Sequence, residues 1–450
     1  MIAPIKPNNK NVAADLDKLD PSQREAVESE DKNIVIKAPA GSGKTSSLLT
    51  AIADYRYKYL NDRICAITYT RAARAEMESR LQELGIFDVE VSTIHVWARN
   101  WLEKLAKKHG LKIHLLTEKE IKDILREITK KYLLHSRITS VNIDILYNYI
   151  NGSKKMDIQD NYRRTLNALE KRYLAYKREN VLYDFSDLPL YLYDVMIAYD
   201  EYITDIDALF VDEFQDVDTV QLDLFDRVLN TKKKFFIGDA WQSIYIFRSA
   251  DGEAFNKLDN FTLYKLKYNY RSYQEIIDYA TTIYEKLESK ARDEVKGQYI
   301  SSIMYSNPSK IKCVKGYGGE VVVVNPWNDI CKFNGQEVVK ISSRDINNVL
   351  RDFLKKNTPM ILCRTNKQVQ SVLDNSFYNA ETIHQAKGLE YDSTIVIDTS
   401  IDNLEDLNVA YVALTRAKNS MLIVNWSTFE NYLMRVKQDL TRGIWLEDLI

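Results

Sequence analysis

The chain has 450 residues, 45% of them hydrophobic, enough for two or more domains with sizeable cores. Its 62 Lys and Arg against 64 Asp and Glu leave a formal charge of −2, so a nucleic-acid site must be a local groove rather than a charged tail. The four cysteines form no C-x-x-C pair, the histidines are scattered, no run of about 18 apolar residues exists, and MIAPIKPNNK lacks an apolar signal core. These features speak against a disulfide framework, a multi-His metal centre and a membrane partner, and the expectation is a cytoplasmic protein.

In chain order, Asn33-Ile34-Val35-Ile36 reads as a buried strand, 44–60 as a helix and Ile64-Cys65-Ala66-Ile67-Thr68 as a second strand. Strands alternating with helices predict a parallel α/β sheet. From about 101 to 180 apolar residues recur at three- and four-residue spacing among Lys and Glu, which predicts a helical insertion. Strand character returns at Ala208-Leu209-Phe210-Val211 and Lys234-Phe235-Phe236-Ile237. A second α/β region is expected from 261, with strands near 320–324, 359–362, 394–397 and 420–424.

Two motifs carry chemistry on their own. Ala38-Pro39-Ala40-Gly41-Ser42-Gly43-Lys44-Thr45-Ser46 lies between a strand and a helix. Its glycines let backbone N–H groups at Ala40 to Ser46 wrap phosphates. Lys44 reaches the β- and γ-phosphates of ATP, and the Thr45 hydroxyl can ligate Mg²⁺. Ala38 stands where the general phosphate-loop pattern has Gly. Leu209-Phe210-Val211-Asp212-Glu213 ends an apolar strand in two carboxylates, at the sheet end where open α/β folds bind ligands. Asp212 suits Mg²⁺, and Glu213 suits a general base that polarises water. Taken alone, Asp-Glu after a strand is common on surfaces; the phosphate loop upstream reverses those odds.

Val211-Asp212-Glu213-Phe214-Gln215-Asp216 followed by Ile237-Gly238-Asp239-Ala240-Trp241-Gln242 through Arg248 resembles motifs II and III of the UvrD/Rep-type superfamily 1 DNA helicases. The other motifs follow in order. Leu19 to Gln23 resembles the Q motif, Thr68-Tyr69-Thr70 motif Ia, and Ser92-Thr93-Ile94-His95 motif Ib. Asp184-Phe185-Ser186-Asp187-Leu188 resembles the D-F-x-D-L stretch, and Asn269-Tyr270-Arg271-Ser272 motif IV. Leu362 to Asn366 resembles motif IVa, Thr382 to Glu390 motif V and Tyr411 to Lys418 motif VI.

The resemblance implies two RecA-like P-loop NTPase domains: 1A at 1–100 and 181–260, a helical 1B insertion at 101–180, and 2A at 261–450. Relatives carry about 200 residues between motifs IVa and V, the 2B domain; here Asn366 and Thr382 are close in sequence, so no 2B domain is expected. Gln23 would read adenine, Tyr270 would stack on it, and Gly388 and Glu390 would touch phosphate and ribose. Gln242 would sense the γ-phosphate, with Arg271 and Arg416 stabilising the transferring group. Tyr69, Tyr245 and Phe247 would stack on bases of single-stranded DNA. Thr93, His95, Arg364, Asn366 and His384 would contact its backbone or link it to the ATP site.

The implied activity is an ATP-dependent translocase or helicase on single-stranded DNA or tailed duplex, moving 3′ to 5′. The alternative is a DNA-stimulated ATPase subunit that regulates a partner nuclease in a repair or anti-phage complex. A repair or replication protein is another partner the resemblance allows. No nuclease domain is expected after motif VI, and Glu294-Val295-Lys296 has an E-x-K spacing of the kind that arises by chance.

Overall fold

The computed structural model describes residues 16–134, 140–151, 160–244, 254–289, 298–299, 309–324, 330–334, 337–341, 346–376, 378–398, 400–402 and 404–441. Six strands build the first sheet: β1 (Asn33–Lys37), β2 (Ile64–Thr68), β3 (Glu90–Thr93), β4 (Ala208–Val211), β5 (Lys233–Gly238) and β6 (Thr262–Lys265). Their order is β3-β2-β4-β5-β1-β6, and every pairing is parallel.

The short apolar runs in β1, β2 and β4 mark strands covered on both faces, and alternate residues feed two cores. Val35, Ile67, Leu209, Val211 and Phe236 pack under helices Ile94–His109 and Leu188–Ala198. Ile34, Ile36, Ala66, Phe210 and Phe235 pack on the other face, under helices Lys44–Lys58 and Arg71–Glu83.

One boundary differs from expectation. Thr262–Lys265 pairs with β1, so the first sheet runs past residue 260. Its side chains are mostly exposed, as on an edge strand, and they left no apolar periodicity to read.

The helical stretch has a core of its own. Ile121, Leu125 and Ile128 on helix Glu118–Leu133 meet Leu146, and Leu166, Leu169 and Tyr173 on helix Asp160–Asn180. Helix Glu118–Leu133 starts with a capping box in which Thr117 and Glu120 satisfy each other's backbone N–H. Helix Ile94–His109, by contrast, belongs to the first sheet's core through Trp97, Ala98, Trp101 and Leu102.

A buried cluster closes the helical stretch. Lys177 Nζ lies 2.7 Å from Asp184 and 2.5 Å from Asp187, and the Tyr173 hydroxyl donates to Asp184 at 2.9 Å. Removing one partner of a buried pair leaves the other charge uncompensated. Lys177→Met is therefore expected to lower unfolding stability by about 3–5 kcal/mol. Urea unfolding with an unchanged midpoint would contradict this.

The second sheet runs Glu337–Ile341, Ile330–Asn334, Glu320–Val324, Ala417–Asn425, Tyr391–Asp398, Met360–Cys363, Ala380–Thr382. The first two pairings in this order are antiparallel, an edge that the sequence pattern did not foreshadow; the remaining pairings are parallel. Alternation again divides the apolar residues. Val321, Val323, Val396 and Ile423 face helices Gln274–Ser289 and Leu404–Leu414, while Val322, Ile395, Leu422 and Val424 face Ile346–Asn357 and Trp426–Thr441. Between Asn366 and Thr382 lie helix Asn366–Asn375 and strand Ala380–Thr382. No helix among the described residues is long and apolar enough to cross a membrane. Cys65, Cys313 and Cys363 are buried and free.

Candidate nucleotide and nucleic-acid site

Strands β4, β5 and β1 are neighbours, so the loops at their carboxyl ends meet. Ala38 to Gly43 follows β1, Asp212-Glu213 follows β4, and Gln242 follows β5. They open onto a cleft of about 1080 Å³ lined from the first half by Gln23, Gly41 to Ser46, Glu213 and Gln242. From the second half Tyr270, Arg271, Gly388, Glu390 and Arg416 line it. Most of the predicted nucleotide residues thus share one cavity between the halves.

The phosphate loop is built for close approach. Gly41 and Gly43 have φ of +70° and +77°, which glycine adopts without strain. A Cβ on Gly41 would fall 2.6 Å from Asn269, and one on Gly43 would fall 2.7 Å from Gln23. Helix Lys44–Lys58 starts at Gly43 with no side-chain cap, so its first N–H groups are not satisfied by a capping side chain. Ser42 Oγ is buried without a hydrogen-bond partner among the described residues. Unsatisfied donors at a helix N-terminus suit a phosphate.

Gln23 is already engaged. Its Nε2 donates to the Ser42 carbonyl at 2.9 Å, and its Oε1 accepts from the Asp20 backbone at 3.0 Å. It braces the loop from one side. Asn269 braces it from the other, donating to the Ala40 carbonyl at 2.6 Å. Sequence reasoning gave Asn269 no role, although it stands inside motif IV.

Thr45 Oγ1 lies 3.5 Å from Asp212 Oδ2, so two hard oxygen ligands converge where Mg²⁺ would bridge protein and phosphate. Burial, then the neighbouring Glu213, pushes the Asp212 carboxyl up. For Glu213 burial works upward, but Lys44, Lys387, Gln215 and Arg416 outweigh it and hold the carboxyl down. Lys44 Nζ is 3.8 Å from Glu213 Oε2, and Gln215 Nε2 donates to the same oxygen. Gln215 Oε1 in turn accepts from the Asp239 backbone at 2.8 Å, and Asp239 accepts from Gln242 Nε2 at 2.8 Å. One chain of bonds therefore fixes both Glu213 and Gln242.

Arg416 is buried and spends its donors on both halves. Nε reaches the Val412 carbonyl at 3.0 Å, Nη1 the Leu389 carbonyl at 3.1 Å, and Nη2 reaches Gln242 Oε1 at 3.3 Å. Arg271 donates to Glu390 at 2.7 Å and to the Thr415 carbonyl at 3.2 Å. Glu390 also meets Lys418 at 2.9 Å.

A second bridge between the halves was not anticipated. Lys387 Nζ contacts both oxygens of Asp216, at 2.9 and 2.7 Å, with side-chain exposures of 9% and 1%. Both residues sit inside helicase-like motifs, yet no local pattern pairs them.

The expected strand-binding residues occupy other strand ends. Tyr69 follows β2, Thr93 closes β3 and His95 lies in the first turn of the next helix. Arg364 and Asn366 follow Met360–Cys363, and His384 follows Ala380–Thr382. In the second half these are carboxyl ends, whereas Glu390 and Arg416 precede the amino ends of Tyr391–Asp398 and Ala417–Asn425. Parallel strands thus hold the nucleotide and strand candidates at opposite ends of that sheet. The Arg364 guanidinium pairs with Asp406. His95 stacks on Phe185, with centroids 5.7 Å apart, and Phe185 is 54% exposed. Phe185 belongs to the D-F-x-D-L stretch, to which sequence reasoning gave no binding role. Tyr245, Phe247 and the E-x-K stretch lie outside the described residues.

A family profile described as the UvrD/REP helicase N-terminal domain matches residues 19–262, more than half the chain. The chain belongs to the UvrD/REP helicase family. A profile for the viral superfamily 1 RNA helicase core domain matches residues 298–425. A "Probable DNA helicase" of Mycoplasma pneumoniae is 25% identical over 92% of the chain and 84% of that protein. The Gabija protein GajB of Bacillus cereus is 24% identical over 93% and 98%. A "Probable DNA helicase II homolog" of Mycoplasma capricolum is 30% identical over 62% of the chain, which spans 42% of that helicase. UvrD/REP membership accounts for phosphate loop and Asp-Glu strand end in one cleft.

Proposed function

We propose that the chain is an ATP-driven translocase on single-stranded DNA, cytoplasmic and moving 3′ to 5′, that can unwind tailed duplex. The observation that carries this is the cleft itself: Arg416 and Lys387 of the second half reach Gln242 and Asp216 of the first. Lys44 and the loop amides bind the phosphates, Glu213 takes a proton from the attacking water, and Gln242 senses the γ-phosphate. Arg271 and Arg416 complete the site only when the halves close, which couples hydrolysis to motion. Mg²⁺, held by Thr45 and Asp212, would neutralise charge on the phosphates.

In this reading 1A spans 1–100 and 181–260 with β6 added, 1B is the helical stretch, 2A follows, and 2B is absent. Tyr69, Thr93, His95, Tyr245, Phe247, Arg364, Asn366 and His384 track the strand. ATP hydrolysis measured with and without single-stranded oligomers tests it, alongside unwinding of 3′- and 5′-tailed duplexes. Absence of strand stimulation would sink the reading. Lys44→Ala is expected to abolish hydrolysis by removing the cation on the phosphates; turnover in that variant would contradict the assignment.

A second reading is a DNA-stimulated ATPase that regulates a partner, such as a nuclease. It draws support from GajB, which the chain matches along 98% of its length. An ATP-dependent helicase/nuclease protein of Oenococcus oeni, 30% identical over 38% of the chain, points the same way. Co-purification with a second protein, together with feeble unwinding alone, would favour it.

A further inference from the structure

Choosing one base among four takes a donor and an acceptor that stand open, at fixed places, before the base arrives. The polar groups beside Tyr270 are instead spent on one another. Gln23 lies in the first turn of helix Pro21–Glu28 and is 4% exposed. Backbone groups use both ends of its amide. Oε1 closes a capping box with the Asp20 N–H at 3.0 Å, and Nε2 donates to the Ser42 carbonyl at 2.9 Å. One N–H and one lone pair remain on the amide, in a residue with almost no open surface. Asp20 uses both oxygens too. Oδ1 accepts from the Ser22 and Gln23 N–H groups at 2.7 and 3.0 Å, and Oδ2 accepts from the Tyr270 hydroxyl at 2.8 Å. Thr50 and Arg80 also line the cleft. Thr50 donates to the Ser46 carbonyl at 2.9 Å; Arg80 donates to Ser46 Oγ at 3.1 Å and faces Glu76 at 3.7 Å. Glu76 and Glu83 are exposed side chains that fix no edge in place. What stays open is the Tyr270 ring, 40% exposed, with its hydroxyl held by Asp20 and its N–H by the Gly41 carbonyl.

We propose that this site is indifferent to the base: it takes nucleoside triphosphates as a class, and Gln23 is a positioning residue of the phosphate loop. The proposal rests on the reading of the cleft as the nucleotide site. Every base has a π-face, so stacking on Tyr270 discriminates little. A site that hydrogen-bonds a polar edge rejects the analogue lacking it by about 10⁴–10⁵-fold, because its own buried groups are left unpaired. No such penalty arises here, since Gln23 and Asp20 keep their partners whichever base enters. Binding then rests on the triphosphate, which all the nucleotides share and which Lys44 and the loop amides face.

The test is competition of ATP, GTP and UTP, each with Mg²⁺, against a fluorescent ATP analogue on the full chain. Hydrolysis of each, with and without a single-stranded oligomer, follows. The three dissociation constants should agree within about tenfold; a wider preference for ATP overturns the proposal. Gln23→Ala should weaken all three by a common factor and leave their ratios as in the parent, because it acts through Ser42. A loss confined to ATP would return Gln23 to the base and overturns the proposal equally. Gln23→Met, which keeps the chain length without the amide, gives the same readout should alanine disturb the helix start. Tyr270→Ala should weaken all three about tenfold or more, and Tyr270→Phe should restore them, since the ring makes the contact. Binding of all three without strand-stimulated hydrolysis leaves this proposal standing and removes the motor reading. Strand-stimulated hydrolysis with binding of ATP alone does the reverse, and binding of none overturns both.

Discussion

Arg416→Ala is expected to lower strand-stimulated ATP hydrolysis by about 10³-fold while nucleotide still binds. The side chain comes from the second half, and its Nη2 lies 3.3 Å from Gln242 Oε1 at the end of β5. It is buried among fixed carbonyls, at 3.0 Å from Val412 and 3.1 Å from Leu389, so its direction is set before substrate arrives. Charge placed in a water-poor cleft without reorganisation is worth most where negative charge develops. Lys cannot reproduce the planar fork that serves Gln242 and Leu389 together, so Arg416→Lys should recover little. Loss of a buried hydrogen-bonding group also costs stability, about 1–3 kcal/mol. Turnover must therefore be compared well below melting, with binding of a fluorescent nucleotide as the control. Hydrolysis within tenfold of the parent, at unchanged folding, would remove Arg416 from the reacting centre.

The two halves of this site were unequally legible. Strand β1, the glycines and helix Lys44–Lys58 are adjacent in sequence, and their roles follow from local geometry: φ above zero at Gly41 and Gly43, then an uncapped helix start. Asp212-Glu213 was readable because the apolar run of β4 points at a sheet end. The braces were not. Asn269 reaches Ala40 across 229 residues, and Lys387 reaches Asp216 across 171. Neither partner announces the other, because such contacts depend on how two sheets approach rather than on spacing. Edge strands failed for a different reason. Thr262–Lys265 is solvated, so it lacks the apolar signature that revealed the central strands. Charge was hidden by averaging: the −2 total says nothing of residues 94–180, whose 19 Lys and Arg outnumber 10 Asp and Glu.

Glu213→Gln is expected to leave ATP bound but almost uncleaved, with turnover down by about 10²–10⁴-fold. The backbone at Glu213 sits at φ +51°, a region costly for a residue with a side chain, and its N–H donates to Asp212 at 2.8 Å. That conformation turns the carboxylate into the cleft beside Lys44, where Gln215 holds one oxygen. The second oxygen is the one available to water. Gln preserves size and backbone strain but cannot accept a proton, so binding and folding should persist while chemistry stops. The contrast with Lys44→Ala is diagnostic, because that change removes the cation that faces the phosphates as well. A single-turnover measurement separates the steps: nucleotide should bind within about threefold of the parental affinity and release no burst of phosphate. Parental hydrolysis in Glu213→Gln would transfer the base to another carboxylate. Asp216, pushed up to about 6 by burial against the pull of Lys387, would be the next to replace.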